Sequence, residues 1–160
     1  MKKERLLGCF VVMGMLLPIS GCSAKKQDRV KVGIYKSKVS DSTIEILEDN
    51  KLRISNIDLT ETEEVLEKAY ISFLKLSDEK TEEFKELFDL NRDFVGKEVS
   101  YNPDNSMFET DGSIALKLAT FTGEDGRSIS YQVNCFPAND ELSIGYAVGD
   151  ELQELYFTKQ

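Results

Sequence analysis

The chain has 160 residues, of which 29 are Asp or Glu, 20 are Lys or Arg and none is His, so its formal net charge at pH 7 is −9. This charge repels phosphate backbones and disfavours nucleic acids as partners. Without histidine the chain lacks the commonest general base, the usual activator of a serine or cysteine nucleophile and the commonest zinc ligand, which argues against an enzyme.

The N-terminus has the features of a secretory signal. Three basic side chains within the first five residues precede an apolar stretch over residues 6–19, and the sequence Ile19-Ser20-Gly21-Cys22 follows. A helix rising about 1.5 Å per residue would span only about 21 Å of a hydrocarbon core of about 30 Å. Residues 1–21 are therefore predicted to be a cleaved signal peptide.

The four residues Ile19, Ser20, Gly21 and Cys22 resemble the lipobox of bacterial lipoproteins. This resemblance implies that cleavage precedes Cys22 and that its thiol carries a diacylglyceryl group, with acyl chains such as palmitate. Two acyl chains suffice for stable attachment. Residues 22–29 then form the lipidated cysteine and a polar tether, and we expect the protein on the extracytoplasmic face of the cell membrane.

Removal of 21 of the 160 residues leaves 139, which is enough for one domain without disulfide bonds. We predict a single, monomeric globular domain over residues 30–160. Cys135 is the one cysteine beyond Cys22. It alternates with Ile129, Tyr131 and Val133 on one face of a predicted strand, so we interpret it as a core residue.

The domain is predicted to begin with three strands, because apolar residues alternate around Val30–Tyr35, Ile44–Ile46 and Leu52–Ile54. Thr60 and Glu63 have the spacing of a capping box and predict a helix start. The first helix is expected to bury Val65, Leu66, Ala69 and Phe73. A second helix opens at Ser77 or Asp78 and is expected to bury Phe84, Leu87 and Phe88.

Strand patterns return from Lys97 onward. A turn is predicted at Asn102-Pro103-Asp104-Asn105, and alternating apolar residues separated by Gly- and Pro-containing turns then follow to Phe157. The pattern predicts an α+β fold, mostly an antiparallel meander of about eight strands with a two-helix insertion after the third strand. A small closed barrel and a strongly curved open sheet both fit this pattern.

Gly33-Ile34-Tyr35 on the first predicted strand is similar to the glycine-x-tryptophan signature of lipocalins. The chain departs from that family, because it has no tryptophan and its helices lie in the middle of the sequence. The similarity therefore implies a barrel but transfers no ligand or binding residue.

Two groups of residues are candidates for a site. Polar residues at 102, 104, 106, 109 and 111 crowd together, but Met107 occupies the position where a calcium loop needs glycine, so we predict two polar turns and no metal site. Aromatic residues on predicted strands are candidates for a pocket or recognition face. These are Tyr35, Tyr101, Tyr131 and Tyr146.

The sequence thus favours a lipid-anchored, non-enzymatic binding module without cofactor, whose partner is an envelope protein or a small apolar ligand. A lipocalin-like carrier and an unrecognised hydrolase are the alternatives. An exposed apolar patch of several hundred Å² would indicate the first, an enclosed apolar cavity the second, and convergent polar groups the third.

Overall fold

The computed structural model describes residues 30–104 and 112–160. The predicted signal peptide, lipobox and tether lie outside these residues, as do Ser106, Glu109 and Asp111 of the crowded polar segment. In the described ranges, no helix combines the length and the apolar character that crossing a bilayer requires.

Nine antiparallel strands form one sheet, in the order β4-β3-β2-β1-β9-β8-β7-β6-β5. The strands are β1 (Gly33–Ser37), β2 (Thr43–Leu47), β3 (Lys51–Ser55), β4 (Glu98–Ser100), β5 (Asn102–Asp104), β6 (Ile114–Thr122), β7 (Ser128–Phe136), β8 (Glu141–Val148) and β9 (Glu151–Lys159). Only Tyr101 separates the two edge strands β4 and β5, so the sheet is nearly closed and barrel-like. The predicted α+β meander is confirmed.

Alternating side chains fill the interior of this sheet. The alternation predicted for the last four strands is confirmed on β7, where Tyr131 and Val133 are buried. On β6 and β8 three consecutive residues are buried, and on β9 Phe157 is buried but Leu152 is 47% exposed. Cys135 is buried as predicted. The largest fully buried side chains on the strands are Tyr35, Ile44, Ile46, Leu52, Ile54, Leu116, Leu142, Ile144 and Phe157, and Leu59, Leu74 and Leu90 from the helical segment join them.

The turn predicted at residues 102–105 is wrong for its first three residues. Asn102–Asp104 form β5 and pair with β6, with Pro103 opposite Leu116 and Asn102 opposite Lys117. Proline has no N–H to donate, but an edge strand needs hydrogen bonds on one side only and therefore accepts it. The residue types at this place are typical of turns, so the sequence did not indicate an edge strand.

Three helices lie between β3 and β4, as predicted for the position of the insertion: α1 (Thr60–Leu74), α2 (Asp78–Leu87) and α3 (Leu90–Phe94). The five residues of α3 were not predicted. Asp89 caps this short helix, because its carboxylate accepts a hydrogen bond from the Arg92 backbone N–H at 2.7 Å.

The predicted capping box is wrong, although α1 begins at the predicted residue. Leu59 occupies the cap position and makes no side-chain cap bond. Glu63 instead accepts a hydrogen bond from the Leu90 backbone N–H at 2.6 Å, while Asp58 accepts one from the Thr60 N–H at 3.0 Å. The Glu63 carboxylate, which was predicted to cap its own helix, therefore accepts a hydrogen bond from the first N–H of α3.

The apolar faces of α1 and α2 differ in part from the prediction. In α1 the buried side chains are Thr62, Leu66, Tyr70 and Leu74, whereas Phe73 is 45% exposed. In α2 Phe84 and the following Phe88 are buried as predicted, but Leu87 is 63% exposed. Tyr70 and Leu74 belong to the same i, i+4 row as Leu66, and this row is the one that faces the sheet.

The helices and the described N-terminus lie at opposite ends of the barrel-like sheet. At the helical end, the Thr62 hydroxyl accepts a hydrogen bond from the Ala147 N–H, near the end of β8. At the other end, Lys31 pairs with Asp140 in the β7–β8 turn at 2.6 Å. Because β7 has nine residues, these ends are about 27 Å apart.

Candidate functional site

A cleft of about 440 Å³ lies between α1 and strands β6 to β9, and we call it the α1 cleft. Its volume falls in the range typical of small-molecule sites, about 300–1,000 Å³. Helix α1 supplies one wall with Leu66, Tyr70 and Phe73. The strands supply Lys117, Thr120, Ser128, Ile129, Ser130, Tyr131, Gln132, Asn134, Gly145, Leu152 and Glu154.

Residues of four strands meet at this cleft in two cross-strand pairs. Lys117 pairs with Gln132 across β6 and β7, and Gly145 pairs with Glu154 across β8 and β9. Residues paired in this way share a face of the sheet. The pairing of β7 with β8 ends at Val133 and Ile144, so the two strands run on beside the cleft without pairing to each other.

Polar side chains also run along β7, at every second residue from Ser128 to Asn134. Alternating residues point to one face of a strand, so these side chains share the face of Gln132. The Gln132 amide N–H₂ donates to the Asn134 side-chain oxygen at 2.8 Å, and the Ser130 and Thr120 hydroxyls lie 2.9 Å apart. The side chains thus hold one another in place and retain further hydrogen-bonding capacity.

The charges at the cleft are few and mostly compensated. Lys117 pairs with Asp104 at 2.5 Å, and both side chains are about three-quarters buried. Glu154 is exposed and has no ion pair or hydrogen bond among the described residues. The floor is therefore polar without a concentrated charge of either sign.

Apolar groups flank the polar floor. Phe73 and Leu152 are 45% and 47% exposed, and both line the cleft. The Arg127 guanidinium carbon lies 5.5 Å from the centre of the Phe73 ring, a cation–π contact that orients the ring. A Cβ atom at Gly145 would meet the Leu152 side chain at 3.4 Å, so Leu152 covers this glycine.

Helix α1 is fixed to the sheet by two long-range hydrogen bonds. Besides the Thr62–Ala147 bond, the Tyr70 hydroxyl donates to the Ser130 carbonyl oxygen at 3.2 Å. Burial raises the pKa of Tyr70 to about 12, so the phenol stays protonated as a donor at neutral pH. The α1 wall is therefore held to the sheet near its start, at Thr62, and in its second half, at Tyr70.

Tyr131 is the candidate tyrosine that lines the α1 cleft. Its ring is 3% exposed and lies 5.3 Å from the Phe94 ring, centre to centre. Its hydroxyl is buried and has no hydrogen-bond partner in the described part of the chain. Burial raises the pKa of this phenol well above its usual range, so the group remains neutral.

The other three candidate tyrosines lie elsewhere. Tyr35 and Tyr101 are 2% and 8% exposed, and the Tyr35 hydroxyl donates to the Lys31 carbonyl oxygen at 2.9 Å. Burial raises the pKa of Tyr35 to about 12. Tyr146 is partly buried beside the core. The four tyrosines are thus not gathered at one cleft, and a ligand role remains a prediction supported by position for Tyr131 alone.

Sequence reasoning missed the polar residues of the cleft, among them Lys117, Gln132 and Glu154. The available signal was the polar half of the strand alternation, because Ser128, Ser130, Gln132 and Asn134 occupy every position that does not face the core. That half reads equally well as an ordinary solvated face. Only the cross-strand register and the position of α1 show that it forms a cleft floor.

The described residues form a second cleft but no metal-binding cluster. A second cleft, of about 390 Å³, lies between α2 and the β6–β7 hairpin, where Phe84, Leu87 and Phe121 line it. Within residues 30–104 and 112–160, no three His, Cys, Asp or Glu side chains converge to hold a metal ion.

No protein-family model, curated protein or solved structure matches this chain. The function proposed for this chain is therefore based on the geometry of the described residues.

Proposed function

We propose that the protein is a lipid-anchored bacterial lipoprotein of the extracytoplasmic membrane face, and that it acts there as a non-enzymatic binding module through the α1 cleft. The observation that supports this proposal is the position of the cleft and helices relative to the start of the described chain. The described chain begins at the end of the sheet beside the Lys31–Asp140 pair, about 27 Å from the helical end. A tether from Cys22 would therefore hold the helices outward.

The charge distribution supports this orientation. Residues 58–94, which contain all three helices, carry 12 Asp or Glu and five Lys or Arg, so this segment has a net charge of −7. Anionic headgroups repel such a surface. The tether at residues 23–29 instead contains three basic residues and one Asp, a net charge of +2, and it would lie at the bilayer.

A binding role without catalysis agrees with the site. The α1 cleft presents one uncompensated carboxylate, amides and hydroxyls, and its phenols are neutral because burial raises their pKa values. A general acid or base needs a pKa near the working pH. The interior of the barrel-like sheet is filled by core side chains, so the cleft beside it is a better ligand site than the interior that a lipocalin-like carrier would use.

Mass spectrometry of the full-length protein expressed in a bacterial host tests the anchor. The wild-type chain should begin at Cys22 and carry diacylglyceryl, whereas Cys22→Ala should accumulate as the uncleaved precursor without lipid. Cys9→Ala is the matched control, because it removes a thiol from the same signal peptide and should leave processing unchanged. Unmodified Cys22 in the mature wild-type protein, or a lipid still attached in Cys22→Ala, would refute the proposal.

A further inference from the structure

We propose that the α1 cleft binds a neutral oligosaccharide. The inference deepens the binding role proposed above and rests on it. Its basis is the combination of a polar, almost uncharged floor with exposed apolar side chains at the rim. A sugar ring offers the same combination, because its hydroxyls are donors and acceptors whereas its C–H faces are apolar and stack on aromatic rings.

The floor has the right groups for hydroxyls. The Gln132 side-chain oxygen accepts no hydrogen bond among the described residues, and the Glu154 carboxylate is without a partner there. Thr120 and Ser130 share one hydrogen bond, so one hydroxyl hydrogen of the pair remains available. The floor therefore offers both donors and acceptors, as a polyhydroxylated ligand requires.

The dimensions fit a short oligosaccharide. The cleft volume of about 440 Å³ lies within the range of small-molecule sites. Phe73 on the α1 side can pack against a ring face, and its contact with Arg127 keeps it at the rim.

Other ligand classes fit less well. An anion would meet only Lys117, which already pairs with Asp104, in a cleft that also contains Glu154. An extended peptide would have to enter where β7 and β8 diverge, and there α1 already bonds the Ser130 carbonyl oxygen through Tyr70 and the Ala147 N–H through Thr62. A purely apolar ligand would bury the Gln132 side-chain oxygen without a hydrogen bond, at a cost.

Saturation-transfer NMR on the full-length protein tests the proposal. The protein is kept in a zwitterionic detergent, since detergents with sugar headgroups would compete. The probes are maltotriose, cellotriose and the β-1,4-linked trimer of N-acetylglucosamine, with inorganic phosphate by phosphorus NMR and trialanine as comparison ligands. We expect binding of at least one trisaccharide and none of phosphate or trialanine.

Variants then place the binding in the cleft. Phe73→Ala should weaken trisaccharide binding about tenfold through the lost stacking, and Gln132→Ala about fivefold through a lost hydrogen bond. Tyr156→Ala is the matched control, because this aromatic residue is 48% exposed on β9 and does not line the α1 cleft. Unchanged thermal midpoints would show that all three variants fold.

The outcomes separate the ligand class from the broader role. Binding of trialanine or phosphate alone, lost in Phe73→Ala, would overturn the oligosaccharide and leave a binding module. Trisaccharide binding that both cleft variants retain would place the ligand elsewhere and overturn the site. Absence of all signals would overturn this proposal, while the mass of the Cys22 peptide decides the anchor independently.

Discussion

Phe84 joins helix α2 to the sheet, and its truncation measures how firmly the helices are attached. The ring is 8% exposed, stacks on Phe88 at 5.0 Å and meets the edge of Phe121 on β6 at 5.2 Å. Removing a buried phenylalanine ring typically costs about 3–5 kcal/mol of unfolding free energy. For a chain of this length, that loss lowers the melting midpoint by about 10–17 °C.

Leu87→Ala is the matched control for Phe84→Ala. Leu87 lies in the same helix but is 63% exposed, so its truncation should change the unfolding free energy by less than about 0.5 kcal/mol. Thermal unfolding followed by circular dichroism compares both variants with the wild-type protein. Equal shifts in the two variants would refute the packing of α2 on the sheet and would make its apolar side a partner surface.

Three other substitutions test single features by thermal or urea unfolding. Tyr131→Phe should retain or raise the unfolding free energy by up to about 1–3 kcal/mol, because it removes a buried hydroxyl without a described partner; a loss would reveal a hydrogen bond. Gly123→Ala should destabilise the fold by several kcal/mol, since its Cβ would lie 2.4 Å from the Leu74 carbonyl oxygen. Gly145→Ala is the control and should not destabilise the fold, because its nearest contact would be at 3.4 Å. Similar unfolding midpoints for the two variants would contradict the close approach of Gly123 to Leu74. Burial raises the pKa of Glu63, so the folded state binds a proton there more tightly than the unfolded state, and the stability from this group is lost as the pH rises through its folded pKa. The wild-type protein should therefore gain stability relative to Glu63→Gln when the pH is lowered from 7 to 4.5. A constant difference between the two proteins would exclude the pKa shift.

The strands and their order could largely be predicted from the sequence, because burial on one face imposes a period of two. Ile114, Val133 and Leu142 follow that rule and lie in the core. The strand Asn102–Asp104 was not predicted, since three residues that include a proline are too few to show a period of two. Edge strands depend on pairing partners far away in the sequence, and no local pattern records those partners.

The helices show a second limit of sequence reasoning. Leu66 and Phe84 were correctly placed in the core, but Phe73 and Leu87 are exposed although they are as apolar. A helical stripe defines a face only to within about one residue, and the exact orientation depends on what the helix meets. Here it meets β8 and the β6–β7 hairpin, so the row of Leu66, Tyr70 and Leu74 turns inward. The cleft follows from that rotation and could not be predicted.

The meeting of β4 and β5 at Tyr101 bears on how the protein behaves when many copies are crowded together. Exposed sheet edges offer unpaired backbone groups that recruit strands from neighbouring molecules. Here each edge strand is only three residues long, and Pro103 removes one donor from β5. Proteins confined to a membrane surface collide far more often than proteins in solution, so with the lipid anchor proposed above these short, interrupted edges would let the chain reach high surface density without forming intermolecular sheets.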